Sequence, residues 1–199
     1  MGLNMLAMAI GALGIVLIVA GALVVIVLLW LTGAYNGLVR LRNQVKNAWA
    51  QIDVQLKRRW DLIPNLIETV KGYAAHEKET LQNVTQARNI AQGAAGKGVA
   101  AQAEAESGLG GALSRLMVVV EAYPDLKANQ NFLALQEELT STENKISFSR
   151  QFYNDTVMKF NTRTEVFPTN IVAGTFNFKQ AELFELKDEA AREAPKVEF

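Results

Sequence analysis

Cysteine is missing from the 199 residues, and histidine occurs once. No disulfide, zinc–thiolate site or cysteine nucleophile can be built from this chain, and the redox state of its compartment leaves no mark on it. A surplus of charge is absent as well, because 20 Lys and Arg balance 20 Asp and Glu. A general nucleic-acid binder needs a basic excess, so nucleic acid is not an expected partner. Proline is scarce, with 4 residues in all, and glycine gathers near the N-terminus and in one central stretch. The remainder is rich in Ala, Leu, Gln, Glu and Lys, a mixture that favours helix.

Charge is also missing locally. From Met5 to Leu31 every residue is Ala, Gly, Ile, Leu, Met, Val or Trp, and no charged residue appears before Arg40. As helix this run is about 40 Å long, against roughly 30 Å of hydrocarbon, so it can cross a bilayer with some tilt. A cleaved signal peptide is the rival reading, with Thr32-Gly33-Ala34 as its small-residue cleavage site. The apolar run is too long for that, and no basic residue precedes it. The segment therefore reads as an uncleaved single-pass transmembrane helix. Basic residues follow it at Arg40, Arg42 and Lys46 and none precede it, which places the N-terminus outside and the rest in the cytoplasm.

About 165 residues remain after the anchor, enough for one domain with a core. Leu38, Leu41, Val45, Trp49, Ile52, Leu56, Trp60, Ile63, Leu66 or Ile67, and Val70 advance by threes and fours and form one apolar stripe. The stripe weakens through Ala74 and resumes at Leu81 and Val84, which predicts helix to about Gln92. Pro64 interrupts it and predicts a kink, with Asp61 as a cap if the helix restarts. Gly93, Gly96, Gly98, Gly108, Gly110 and Gly111 mark a reversal over 93–111, with an Ala/Glu/Gln segment suited to a short helix between them. A second helix is expected over about Leu113–Ala122, ended by Tyr123-Pro124. A third starts near Asn129, where Phe132, Leu135, Leu139, Thr142, Ile146, Ser149, Tyr153, Val157, Phe160, Thr164 and Phe167 keep a coiled-coil-like alternation up to Pro168. The fold class is all-α: a transmembrane helix, then an elongated antiparallel bundle of two long helices and one or two short ones. The expected divisions are 1–34 for the anchor, 35–168 for the bundle, and 169–199 for an extended aromatic segment and a charged tail. Leu183, Phe184 and Leu186 suggest an amphipathic turn or two within that last part.

Several blocks closely resemble the LemA family: Asp53-Val54-Gln55-Leu56-Lys57-Arg58-Arg59, Asp61-Leu62-Ile63-Pro64-Asn65-Leu66 and Glu68-Thr69-Val70-Lys71-Gly72-Tyr73. So do Ala122-Tyr123-Pro124-Asp125-Leu126-Lys127-Ala128-Asn129, Phe152-Tyr153-Asn154 and Phe167-Pro168-Thr169-Asn170. The resemblance covers most of the chain after the anchor. It implies a membrane-anchored helical bundle of bacterial origin, and hence the inner membrane. It also implies links to membrane-bound metalloproteases of the HtpX type, and, in some relatives, a part in building magnetosome membranes.

Catalytic signatures are weak. His76 precedes Glu77, but the second histidine of a zinc-binding H-E-x-x-H helix is absent, and a solvated histidine is the better reading. Gly96-Lys97-Gly98 fails as a phosphate loop, because that loop needs Ser or Thr where Gly98 stands and Gly where Ala91 stands. No carboxylate pair breaks the pattern of solvated helix faces. No enzyme, cofactor, metal or small-molecule substrate is expected.

Contacts are the better candidates. Arg40, Arg42 and Lys46 can attract anionic headgroups at about 1 kcal/mol each, or serve only to set topology. Lys57, Arg58 and Arg59 lie more than about 25 Å along the helix, beyond the roughly 8 Å screening length. They touch lipid only if the helix lies flat or the membrane curves to meet it; otherwise they pair with acids on a neighbouring helix, or reach another subunit or partner. Ala7, Gly11, Gly14 and Gly21 make a small-residue stripe along which anchors can associate. Met117-Val118-Val119-Val120 is apolar all round, so Val118, Val119 and Val120 have more apolar surface than one buried face needs and meet another subunit, or else pack against the aromatic C-terminal segment. Together these features predict a non-enzymatic scaffold that forms homo-oligomers in the lipid bilayer and organises or remodels it. The alternative is an adaptor for a membrane partner such as an HtpX-type protease.

Overall fold

The computed structural model describes residues 2–185, without the side chains of residues 2–10 and 12. Ala7 as an association residue, Leu186 and the charged tail lie outside the described residues. Six helices and no strand are found among those described: α1 (Gly2–Lys71), α2 (Lys78–Ala94), α3 (Val99–Val120), α4 (Pro124–Lys127), α5 (Gln130–Glu165) and α6 (Thr169–Thr175). The all-α reading holds. The chain divides into two compact units. One joins Met1–Asn43 with Lys159–Gln180, and the other joins Gln44–Met158 with Ala181–Phe199.

The second unit is a bundle built from parts of α1 and α5 together with α2, α3 and α4. Its α1 stripe is buried as the periodicity requires: Val45, Ile52, Leu56, Trp60, Ile63, Leu66 and Val70 are all in the core. The α5 seam answers with Phe132, Leu139, Thr142, Ile146, Tyr153 and Val157. Side-chain pairs run in opposite chain directions, from Trp49 on Tyr153 through Arg59 on Glu143 to Tyr73 on Asn129, so α1 and α5 are antiparallel here. Asn129 also starts α5, its Oδ1 accepting the Phe132 N–H at 3.0 Å in an N-cap.

Three boundaries differ from expectation. First, α1 ends at Lys71, and a short turn at 72–77 leads into α2. Val70 and Leu81 are eleven residues apart, close to three full helical turns, so the stripe keeps its phase across the break and periodicity cannot register it. Second, the reversal is confined to Ala95–Gly98, where Gly96 (φ 80°) and Gly98 (φ 109°) take left-handed backbone. Gly108, Gly110 and Gly111 instead lie inside α3, which is helical from Val99 because Ala103, Leu109, Leu116 and Val120 need burial. Third, the segment after Pro168 folds as α6, not as extended chain, with Val172 and Ala173 buried. The expected turn at Leu183-Phe184 is absent. Asn154 takes both backbone groups of Phe184: its Oδ1 accepts the N–H at 2.9 Å and its Nδ2 donates to the carbonyl at 3.2 Å.

Helix α1 passes through Pro64 without ending. The proline has no N–H for the Trp60 carbonyl, a loss that destabilises a helix interior by about 3 kcal/mol or more. Arg88 on α2 supplies a replacement, its Nε donating to the Trp60 oxygen at 2.7 Å. No restart follows, and Asp61 is an exposed residue within the helix rather than a cap.

In the first unit, Ala34 and Leu38 of α1 are buried, as are Phe160, Thr164, Thr169, Val172 and Phe178. Tyr35 meets Phe176 and Phe178 edge-on, with ring centroids 4.8 and 5.7 Å apart, and the Arg42 guanidinium lies 5.1 Å from the Phe178 ring centre.

Candidate functional site

The most constructed polar arrangement lies inside the second unit and centres on Arg59. Along α1 the positions 52, 56, 59, 63, 66 and 70 make the buried seam, so a cation at 59 is turned into the core. Its guanidinium ties three helices together. One Nη donates to Glu106 of α3 in a buried ion pair, and the other donates to Glu143 of α5 at 2.6 Å. Glu106 is satisfied from further sides, since its Oε1 accepts from Trp60 Nε1 at 3.0 Å and from Gln102 Nε2 at 2.8 Å. Gln102 Nε2 also donates to the Ala91 carbonyl at 3.2 Å, which brings α2 into the network. The Arg59 Nε is buried without a partner.

A cavity of about 790 Å³ opens beside this network. Its α3 wall sets the small residues Ser107, Gly110, Gly111 and Ser114 beside Leu113 and Met117, and nothing lies within 4 Å of a Cβ built at either glycine. The opposite wall is apolar, from Leu56, Leu139, Ile146 and Phe184, with Arg59, Glu106 and Glu143 at one side. Ser107 and Ser114 have no imidazole beside them, because His76 is exposed on the turn between α1 and α2 and is not part of the lining. The ion pairs engage both carboxylates with Arg59, so the cavity offers a shaped, mixed surface and no poised acid–base pair.

The other residues singled out above are dispersed. Arg40, Arg42 and Lys46 are exposed, and Arg42 uses part of its surface on Phe178. Of the Lys57-Arg58-Arg59 cluster, Lys57 is exposed, Arg58 pairs with Glu138 of α5, and Arg59 is only 4% exposed. The two arginines therefore follow the internal-pairing alternative, and Arg59 is not on a surface that a partner can reach. The α3 valines divide by helical position: Val118 is 73% exposed, Val119 is intermediate and Val120 is buried. Gly11, Gly14 and Gly21 have open space around them. Glu106, Glu143, Gln102 and Arg88 were not foreseen. The available signal was charge at seam positions, Arg59 between Leu56 and Ile63 on α1 and Glu106 between Ala103 and Leu109 on α3.

One of the blocks quoted for the resemblance, Phe152-Tyr153-Asn154, holds the chain end of this unit in place. Tyr153 donates to the Glu182 carbonyl at 2.8 Å beside the Asn154 clamp, and Trp49 stacks on both Tyr153 and Phe184. Burial and the nearby Glu182 charge push the Tyr153 phenol up to about 12. Burial also raises the Asp53 carboxyl, and the Glu77 side chain that accepts from Tyr123 raises the Tyr123 phenol. A sequence model of the LemA family matches residues 48–199, which takes in this whole unit beyond its first turn.

The chain belongs to the LemA family.

Individual relatives agree with that placement. Protein LemA of Metamycoplasma hominis is 28% identical over 156 residues, covering 78% of this chain and 71% of the relative. Magnetosome protein MamQ 2 of Paramagnetospirillum magneticum is 27% identical over 177 residues. Magnetosome protein MamQ of Magnetospirillum gryphiswaldense is 25% identical over a stretch of the same length. This LemA-family chain spans 65% of the length of each of those two MamQ proteins. None of these names denotes an enzyme. The family match begins after the apolar part of α1, which is long and apolar enough to cross a membrane.

Proposed function

We propose that this LemA-family protein is a single-pass, non-enzymatic scaffold of the bacterial inner membrane, which self-assembles there and organises or remodels the bilayer. One observation carries the reading. The large apolar side chains from Leu13 to Leu29 are 52–74% exposed, while the helices beyond them close a core of their own. So much apolar surface is tolerable only in lipid or against other copies. The basic residues Arg40, Arg42 and Lys46 that follow the run favour a bundle in the cytoplasm and an N-terminus outside. Open space at Gly11, Gly14 and Gly21 supports close approach of neighbouring anchors. The exposed Val118 supports contact between bundles. The magnetosome names of two relatives favour a task at a membrane.

The test is the size of the intact protein in mild detergent, by light scattering with electron microscopy of the same sample. Large regular particles are expected. Gly14→Leu is expected to reduce them through the anchor, and Val118→Glu through the bundle, with helicity unchanged in both. A monodisperse monomer from the native sequence overturns the scaffold. An unchanged monomer that loses a co-purifying membrane protein on Val118→Glu points instead to an adaptor, as for a membrane protease.

A further inference from the structure

The first unit combines three properties that none of the roles above requires. It leaves Val166, Phe167, Ile171 and Phe176 exposed around α6, with Phe167 at 79%, while Val172 and Ala173 on the same short helix are buried. One of the four is tied to the helix just past the apolar run, and all four share a compact unit with that run. Phe176 packs edge-on against Tyr35, and Tyr35 stands four residues past Leu31, about 6 Å of helix beyond the end of that run. Trp30 and Tyr35 are themselves partly exposed at this level, where interfacial aromatic rings belong. The charge is equally distinctive. Arg40, Arg42, Lys159, Arg163 and Lys179 are all exposed, against a single acid, Glu165, in a chain whose total is zero. That one acid is occupied by Gln180.

We infer that α6 and its flanking aromatic residues form a second membrane contact, seated in the headgroup layer of an anionic bilayer beside the anchor. Phe167, Ile171 and Phe176 enter the interface, and the five cations meet lipid phosphates. An exposed apolar cluster in a unit whose charge is almost wholly cationic is the pattern of an interfacial element, and attachment of Phe176 to Tyr35 holds it at the depth where such an element works. An acidic protein partner would match the cations but would have to cover aromatic rings held at the level of the headgroups. The inference rests on the anchor reading above, and the experiment separates the two.

The absence of cysteine from the native chain makes single-site labelling clean. Ile171→Cys and, independently, Phe167→Cys are labelled with an environment-sensitive nitrobenzoxadiazole probe in the full-length protein, in nanodiscs of phosphatidylcholine with or without phosphatidylglycerol. Both positions are exposed, so neither substitution removes core packing. Val24→Cys, read with lipids that carry the nitroxide on the acyl chain, reports the anchor, and Gln82→Cys the bundle. Lipids with a nitroxide near the headgroup are expected to quench positions 171 and 167 but not 82, more strongly with phosphatidylglycerol. Arg163→Gln and Lys179→Gln are each expected to reduce the ratio of lipid-facing to water-facing probe by about fivefold in anionic discs only. Loss of lipid quenching at 24 overturns the anchor itself. Quenching at 24, with 171 and 167 no different from 82, overturns this inference alone. Blue-shifted emission at 171 without lipid quenching means that protein covers the face, and overturns it equally.

Discussion

Pro64 and Arg88 form a pair whose members make sense only together. The Trp60 carbonyl is left without its helical donor by Pro64 and is filled by the Arg88 side chain. Arg88→Met should therefore cost about 1.5–3 kcal/mol, the usual range for a hydrogen bond from a charged group. In a Pro64→Ala background the restored N–H serves the same carbonyl, and the cost of Arg88→Met should fall to well under half. Chemical unfolding in detergent, followed by far-ultraviolet circular dichroism, measures the cycle; equal costs in both backgrounds would refute the pairing. Arg59 supports a second prediction at this scale. Glu106→Ala strands a buried guanidinium and is expected to cost about 3–5 kcal/mol. Glu143→Ala removes a partner that is 55% exposed and is expected to cost no more than about 1 kcal/mol. Replacing Arg59 and Glu106 together by Met and Leu should recover most of the loss, because the desolvation of both charges is then avoided.

Among the elements, the chain from Ala181 to Glu185 depends most on others for its shape. It has no regular structure of its own, and its backbone is held by Tyr153 and Asn154 on α5 while the Phe184 ring packs on Trp49. The Tyr153 phenol, raised to about 12, gives this anchoring a pH signature. A phenol raised above its usual value of about 10 stabilises the fold fully below pH 10, and the contribution disappears as pH rises from about 10 to about 12. Tyr153→Phe should accordingly be about 1 kcal/mol less stable than the native protein at pH 8 and no less stable at pH 12. Unfolding curves at the two pH values check this, and a difference that persists at pH 12 would remove the hydrogen bond as its cause. Helix α3 shows another dependence. Its glycines behave as turn residues by composition but sit within a helix, where they open the cavity beside Arg59 instead of reversing the chain.

The whole molecule is polarised along its sequence. Apolar residues fill its first part, and the first unit carries five cations against one acid, so the balancing excess of acid lies in the second. The proposed cytoplasmic placement of the bundle makes a definite prediction about sidedness. A single cysteine at Gln82, exposed on α2, should resist a membrane-impermeant maleimide in intact cells and react after the inner membrane is opened. Labelling of intact spheroplasts at the same rate as opened ones would reverse the orientation.

Helical class, the apolar run, the two long seams and the family blocks were all legible in the amino-acid order. Each is a local or periodic property: helical phase, run length and composition are set by neighbours within a few residues. The turn at 72–77 was not legible, since the eleven residues from Val70 to Leu81 preserve helical phase and hide the break. Nor was helix at Gly108–Gly111, where burial of Leu109 and Leu116 outweighs the intrinsic weakness of glycine. The Arg59 network was half visible, as charges at seam positions, but which acid answers which cation depends on how three helices are brought together. The same holds for the donor to Trp60 and for the contact of Phe176 with Tyr35. Sequence by itself determined where helices are favourable and which faces are apolar. Only the tertiary structure decided which polar groups those faces bring within hydrogen-bonding reach, because that depends on residues that are remote along the chain and adjacent in space.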